Sequence, residues 1–118
     1  MTVIRGAISV EKNTKKEIIE KAIQLYKTII MNNNSNNIFF VLGTQTKDLN
    51  SYNCITALRE NSLLYSPAQC VQEVFIKNTL KKIIRLNIFC NDNFIPKHIY
   101  LDKAILLRPD LEIKNDAS

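Results

Sequence analysis

The stretch VIRGAISVEKNTKKEIIEKAIQLYKTII, residues 3–30, combines two hydrophobic periods. Between Val3 and Val10 the apolar positions alternate, which is typical of a half-buried β-strand. One face of this strand carries Ile4, Gly6, Ile8 and Val10. From Ile18 to Ile30 the apolar residues instead recur every three or four positions, as in an amphipathic helix. The chain therefore begins as a strand followed by a helix.

The boundaries of this helix are also visible. Thr14 and Glu17 have the spacing of a capping box, in which each side chain satisfies a backbone amide of the other. The asparagine-rich run Asn32–Asn37 favours turns, and it predicts a surface loop at the other end.

Further strand and helix patterns of apolar residues follow along the chain, and the residues after Asp110 are mostly polar. The predicted elements are a buried strand at Ile38–Leu42, a helix at Tyr52–Glu60 with Ser51 as its N-cap, and strands at Cys70–Ile76, Ile83–Cys90 and Ile99–Leu107. The order β-α-β-α-β-β-β predicts an α+β fold, a mixed sheet with its two helices on one face. We expect a single domain over residues 1–118, with a flexible tail at about 110–118.

Composition narrows the classes of function. The net charge of +5 fits either a nucleic-acid surface or a protein that handles small anions. The lysines are scattered and lack interleaved aromatic residues, so a solvated basic face is the simpler interpretation. No apolar run approaches the roughly 20 residues of a membrane span.

The spacing of the three cysteines, Cys54, Cys70 and Cys90, is not that of a metal site. The opening MTVIRG lacks the apolar core of a signal peptide. We therefore expect a cytoplasmic protein with free thiols and no metal.

Charged residues interrupt three of the predicted strands. Arg5, Glu73 and Arg85 each stand among apolar residues, where a charge is costly unless it is paired. They could simply face solvent or form one ion pair. Two arginines against one carboxylate also suit a pocket for a small carboxylated ligand, because a guanidinium binds a carboxylate through two hydrogen bonds. Arg59, at the edge of the second helix's inward stripe, adds to this positive character.

The sequence offers no nucleophile with an obvious base. His98 is the single histidine, it has no serine or cysteine partner in a signature context, and a structural role suits it better than a catalytic one. If the protein is an enzyme, its chemistry should depend on positioning and electrostatics.

Several segments together resemble the trimeric chorismate mutases of the pseudo-α/β-barrel family. In chain order they are Ile4-Arg5-Gly6-Ala7, Val10-Glu11, Thr56-Ala57-Leu58-Arg59-Glu60, Cys70-Val71-Gln72-Glu73, Lys82-Ile83-Ile84-Arg85, His98-Ile99-Tyr100-Leu101, Ala104 and Leu106-Leu107-Arg108-Pro109-Asp110-Leu111. The resemblance covers nearly the whole chain and depends on the combination of segments.

This resemblance implies a homotrimer with active sites between subunits, in which chorismate rearranges to prephenate without metal or cofactor. It assigns a role to each matching residue. Arg85 would contact the ether oxygen, Glu73 the ring hydroxyl with Cys70 beside it, Arg5 and Tyr100 a carboxylate, Arg59 the helical rim of the cleft, and Arg108 the region near the tail.

The sequence departs from the family pattern around the predicted cleft. Asn53-Cys54-Ile55 replaces an aromatic-Pro-Ala stretch, and Thr56, Gln69 and Asn78-Thr79 also differ. We expect these changes to alter the KM more than the kcat. The alternatives are a non-catalytic trimer of the same fold that binds a small carboxylate, and a basic nucleic-acid-binding module.

Overall fold

The computed structural model describes residues 1–34 and 37–111, and it confirms the predicted α+β order. The elements are β1 Thr2–Ser9, α1 Lys15–Asn32, β2 Ile38–Gln45, α2 Cys54–Glu60, β3 Ala68–Gln72, β4 Ile83–Cys90 and β5 Ile99–Leu101, followed by 3-10 helices at Asp102–Leu107 and Pro109–Leu111.

The strands form one mixed sheet in the order β3-β2-β4-β1-β5. Strand β4 is at the centre and runs antiparallel to both β1 and β2. The outer pairs, β1 with β5 and β2 with β3, are parallel. A parallel pair needs a crossover between its strands, and α2 supplies it between β2 and β3.

Both helices pack on the same face of the sheet, as predicted. Alternate residues of the central strands, such as Ile4, Ile84 and Ile88, are buried in the core under α1 and α2. The opposite face, here called the open face, has a smaller cluster of Ala7, Ile83, Tyr100 and Ala104 beneath the first 3-10 helix. The rest of the open face is only partly covered by the chain itself.

The N-caps differ in part from the prediction. Thr14 caps α1 as expected, but the Glu17 carboxylate accepts a hydrogen bond from the Glu11 amide, not from that of Thr14. Ser51 does not cap α2, because its hydroxyl donates to the Asn13 carbonyl. Asn53 caps α2 instead, with its side-chain oxygen accepting from the first amides of the helix.

Two predicted strands are shorter than expected. Strand β3 ends at Gln72 and not at Ile76, because β2, which pairs with it in the sheet, ends at Gln45. Strand β5 ends at Leu101 and not at Leu107. Asp102 adopts a left-handed φ of 55°, which turns the chain into the 3-10 helix that covers Ala7.

The loop after α1 is also less exposed than predicted. Asn33 is buried, and its side chain bonds to the carbonyls of Ile29 and Lys97 and to the Lys97 amide. An asparagine amide thus joins the end of α1 to the segment before β5, a role that turn propensity alone does not reveal. Most of the predicted tail, residues 112–118, lies outside the described residues.

Candidate active site

Arg85 and Glu73 form an ion pair on the open face of the sheet. Arg85 lies in β4 between Thr44 of β2 and Ala7 of β1. Its Nε donates to Oε1 of Glu73, which follows the last residue of β3. About a quarter of each side chain is exposed, 28% for Arg85 and 26% for Glu73. Among the described residues only this Nε of the Arg85 guanidinium has a protein acceptor, so its two terminal nitrogens can bind a ligand.

Hydrogen bonds from the loop after β2 fix the start of β4, two residues before Arg85. Asp48 accepts from the Lys82 amide with both carboxylate oxygens at 3.1 Å, and the Thr46 hydroxyl accepts from the Ile83 amide at 3.0 Å. Thr46 also donates to Asp48 at 2.5 Å. The sequence analysis missed these two residues, although a Thr-x-Asp pattern after a buried strand is a common local hydrogen-bonding motif.

A cavity of about 270 Å³ adjoins this ion pair. Glu73 forms part of its wall, and Lys47 and Lys81 supply positive charge. The Lys47 ammonium also lies 3.7 Å from the centre of the Phe75 ring, a cation–π contact. The lining residues are Thr46, Lys47, Asp48, Glu73, Val74, Phe75, Thr79, Leu80 and Lys81.

A second basic group lies at the β1–β5 side of the sheet. The Arg5 amide donates to Nδ1 of His98 at 3.0 Å. Tyr100 is buried on the open face, paired in register with Ala7. Arg108 makes two hydrogen bonds to Asp110, at 3.1 and 2.9 Å, and these raise the pKa of the guanidinium. The structure thus brings Arg5, Tyr100 and Arg108 to one side of the site.

Burial lowers the pKa of His98, and the positive charges of Arg108 and Arg5 lower it further. The neutral ring is also required for Nδ1 to accept from the Arg5 amide. Because the unfolded chain keeps the ordinary pKa of about 6.5, it binds more protons than the folded chain just below that pH. Stability should therefore fall as the pH drops through about 6.5, and this loss should end below the lowered pKa of the folded state.

We expect His98→Asn to reduce this pH dependence, because the asparagine oxygen can accept from the Arg5 amide without titrating. Urea unfolding of the two proteins at pH 7, 6 and 5 measures it. The free energy of unfolding should fall more steeply toward pH 5 in the wild type than in the variant. An equal dependence of the unfolding free energy on pH in the two proteins would show that the titration of His98 does not cause it.

Arg59 and Cys70 lie apart from the open-face groups. Arg59, on α2, is exposed and donates to the Ser66 carbonyl at 3.0 Å. The sulfur of Cys70 points to the helix-covered face, where it lies 3.8 Å from the sulfur of Cys54. The side chain of Cys70 therefore faces away from the Glu73–Arg85 pair, and the predicted role of Cys70 beside Glu73 stays a prediction.

The sequence analysis also missed Gln45, a buried residue at the end of β2. Its amide donates to the carbonyls of Leu49 and Tyr52, each at 2.9 Å. Its oxygen accepts from the Cys54 amide at 2.6 Å. Gln45 thereby fixes the loop that leads into α2. The predicted strand ended at Leu42, whereas β2 continues to Gln45, so the sequence analysis did not place this residue in a strand.

Comparison with known proteins places this arrangement in a family. The family model described as chorismate mutase type I matches residues 1–111. The chain belongs to this family. It is 37% identical over 117 residues to chorismate mutase AroH of Bacillus subtilis (strain 168), covering 93% of this chain and 91% of the relative. It is 31% identical over 115 residues to chorismate mutase AroH of Thermus thermophilus, covering 92% and 94%.

The fold comparison agrees with the sequence comparison. A solved chorismate mutase from Clostridium thermocellum superposes with a TM-score of 0.84 at 29% identity, covering 90% of this chain and 99% of that one. The predicted family, the α+β fold and the enzyme class, an isomerase of the chorismate mutase type, are confirmed. The roles of individual site residues stay predictions.

Within residues 1–34 and 37–111 no group of three or more His, Cys, Asp or Glu side chains could hold a metal ion. No helix in that part of the chain is long and apolar enough to cross a membrane.

Proposed function

We propose that this chorismate mutase rearranges chorismate to prephenate in active sites shared between the subunits of a homotrimer. The observation that carries the proposal is the Glu73–Arg85 pair on the open face of the sheet, where the terminal guanidinium nitrogens have no acceptor among residues 1–34 and 37–111. The products would serve phenylalanine and tyrosine biosynthesis. We also propose that the enzyme works in the cytoplasm, in keeping with its three free thiols.

The proposed mechanism requires no proton transfer and no covalent intermediate. The rearrangement is a concerted Claisen shift, in which a carbon–oxygen bond breaks as a carbon–carbon bond forms. Chorismate must first adopt a compact chair, and binding has to offset the conformational freedom that it loses. Arg5 and Tyr100 would hold a carboxylate in that chair, with Arg59 and Arg108 at the rim.

Electrostatic stabilisation would come mainly from Arg85. Negative charge grows on the ether oxygen in the transition state, and a fixed guanidinium aimed at it binds this state more tightly than the ground state. Glu73 would hold the Arg85 Nε and accept from the ring hydroxyl with its remaining lone pairs. The carboxylate thus orients both the cation and the substrate.

The placement of Arg59 supports a site shared between chains. Its helix packs on the covered face of the sheet, whereas Arg85 lies on the open face. The sheet separates the two side chains within one subunit, so both could contact one substrate most simply if neighbouring chains supply them. Large apolar side chains are also exposed after β3, with Val74, Phe75 and Ile76 at 76%, 55% and 56%.

The first experiment follows the ultraviolet absorbance of chorismate after addition of purified protein, with EDTA present and no cofactor. We expect rapid decay with formation of prephenate. No decay from a folded trimer would contradict the catalytic proposal, and the small-carboxylate-binding alternative would then take its place.

A mixing experiment tests the shared site. Homotrimers of Arg59→Ala and of Arg85→Ala should each have low activity. After an equal mixture is unfolded and refolded together, about a quarter of the sites should combine a wild-type Arg59 with a wild-type Arg85 from its neighbour. Activity should rise to about a quarter of the wild-type value. No rise in mixed trimers, verified by mass spectrometry, would place both arginines in the same subunit's site.

A further inference from the structure

We propose that Cys54 and Cys70 form a reversible disulfide that joins helix α2 to strand β3. Cys54 is the first residue of α2, and Cys70 is in the middle of β3. Their sulfur atoms lie 3.8 Å apart. A disulfide needs about 2.0 Å, so the sulfurs must approach each other by about 1.8 Å, which side-chain rotation and a small shift of the helix can supply.

Gly43 creates the space in which the two thiols meet. It pairs with Cys70 across the β2–β3 ladder. A Cβ atom at position 43 would lie 2.9 Å from the Cys54 sulfur, so this sulfur occupies the volume that a side chain would fill. Cys54 is therefore confined beside Cys70, between the helix and the strand backbone.

Gln45 orients both cysteines from the end of β2. Its oxygen accepts from the Cys54 amide at 2.6 Å and from the Cys70 thiol at 3.5 Å. A single buried acceptor thus draws the two residues toward the same point. The pair is a feature of this chain's departure at Asn53-Cys54-Ile55 from the aromatic-Pro-Ala stretch at the start of the helix.

Cys70 is the more accessible and the more acidic thiol. It is half-buried and lines a cavity of about 390 Å³ with residues that include Tyr52 and Gln72, whereas Cys54 is fully buried. The hydrogen bond from Cys54 lowers the pKa of Cys70 to about 7, and the same bond together with burial raises that of Cys54. The thiolate that reacts first is therefore on the accessible side.

A peroxide is the proposed oxidant. The Cys70 thiolate attacks one peroxide oxygen, the O–O bond breaks, and the product is a sulfenic acid with hydroxide leaving. The hydroxide and the proton that Cys70 lost on ionising make the first water. The Cys54 sulfur then attacks the Cys70 sulfur, the S–O bond breaks, and the departing hydroxide takes up the Cys54 proton to give the second water. Overall, two thiols and hydrogen peroxide give one disulfide and two waters, a two-electron oxidation of the protein. A small thiol reverses it by exchange.

Trypsin separates the three cysteines, which makes the test direct. Cleavage after Lys47, Arg59 and Lys77 puts Cys54 in peptide 48–59 and Cys70 in peptide 60–77, while Cys90 falls in peptide 86–97. The wild-type protein is treated with hydrogen peroxide, alkylated with N-ethylmaleimide and digested without reduction. We expect a cross-linked pair of the first two peptides, about 2 Da lighter than their sum, that dithiothreitol converts to free thiols.

Two controls complete the experiment. Cys90→Ser should keep the cross-link and Cys70→Ser should lose it. The oxidised wild type should also melt at least about 5 °C higher than the reduced form, because the bond constrains the unfolded chain. Cys70 oxidised to a sulfinic acid while Cys54 stays alkylatable, or a cross-link only between two chains, would overturn the proposal. These measurements do not depend on catalysis, so their outcome tests the disulfide independently of the proposed function.

Discussion

Replacing Arg85 with alanine should lower kcat by about 10³-fold or more, which is the upper range for losing one preorganised transition-state donor. The variant loses the cation at the ether oxygen and also leaves the Glu73 carboxylate unpaired on the open face. The kcat of Arg85→Lys should exceed that of Arg85→Ala by less than about tenfold. An ammonium is a point charge, and it lacks the planar fork that lets a guanidinium bond to Glu73 and to the substrate at the same time.

Chorismate decay under saturating substrate gives the kcat of each variant. Lys27→Ala is the matched control, since it removes one positive charge from the exposed face of α1. It should leave kcat unchanged. Turnover near the wild-type value in either Arg85 variant would show that another group stabilises the transition state.

Glu73→Gln should lower kcat/KM by about 10²-fold while the fold is preserved. The glutamine oxygen can still accept from the Arg85 Nε, but it is neutral, and charge-assisted hydrogen bonds are roughly twice as strong as neutral ones. The amide also has a single acceptor oxygen, so it cannot serve both Arg85 and the ring hydroxyl as well as a carboxylate does.

A double-variant cycle separates the two roles of Glu73. For residues that act independently, the fold-losses in kcat/KM multiply. If Glu73 acts partly by orienting Arg85, the double variant should lose less kcat/KM than the product of the losses in Glu73→Gln and Arg85→Ala. Glu20→Gln, which removes a carboxylate from the exposed side of α1, should have no effect. If the kcat/KM of Glu73→Gln is within about threefold of the wild-type value, Glu73 is not a catalytic residue.

Local signals predicted the first half of the fold well. The alternation in β1 and the threonine cap of α1 involve residues near each other in sequence, and the structure confirms both. The end of β3 depends instead on where β2 ends, at Gln45, and no property of the residues after Gln72 reveals the length of that neighbouring strand. Strand β5 ends where Asp102 turns the chain through its left-handed φ.

The charged part of the candidate site could be singled out from the sequence because a charge within a strand pattern is conspicuous. Glu73 and Arg85 do pair, and Arg5 and Tyr100 do lie in neighbouring strands β1 and β5. Side-chain direction was harder to predict. Cys70 precedes Glu73 by three positions. The Glu73 amide still bonds to the Gln45 carbonyl of β2, and in such an extended chain an odd separation places two side chains on opposite faces. The contact between Cys54 and Cys70 depends on Gly43, which has no chemical signal of its own.

The position of β1 in the sheet affects how the protein is made. Residues 2–9 leave the ribosome long before their two partners in the sheet, residues 83–90 and 99–101. During synthesis this strand has no native neighbour until most of the chain has been translated. Such pairings between distant residues also slow folding. A long loop must close, and lose conformational entropy, before the contacts that compensate for this loss can form. Strand β1 is thus exposed to mispairing while the chain is made, and Arg5 places a charge there that discourages edge-to-edge association.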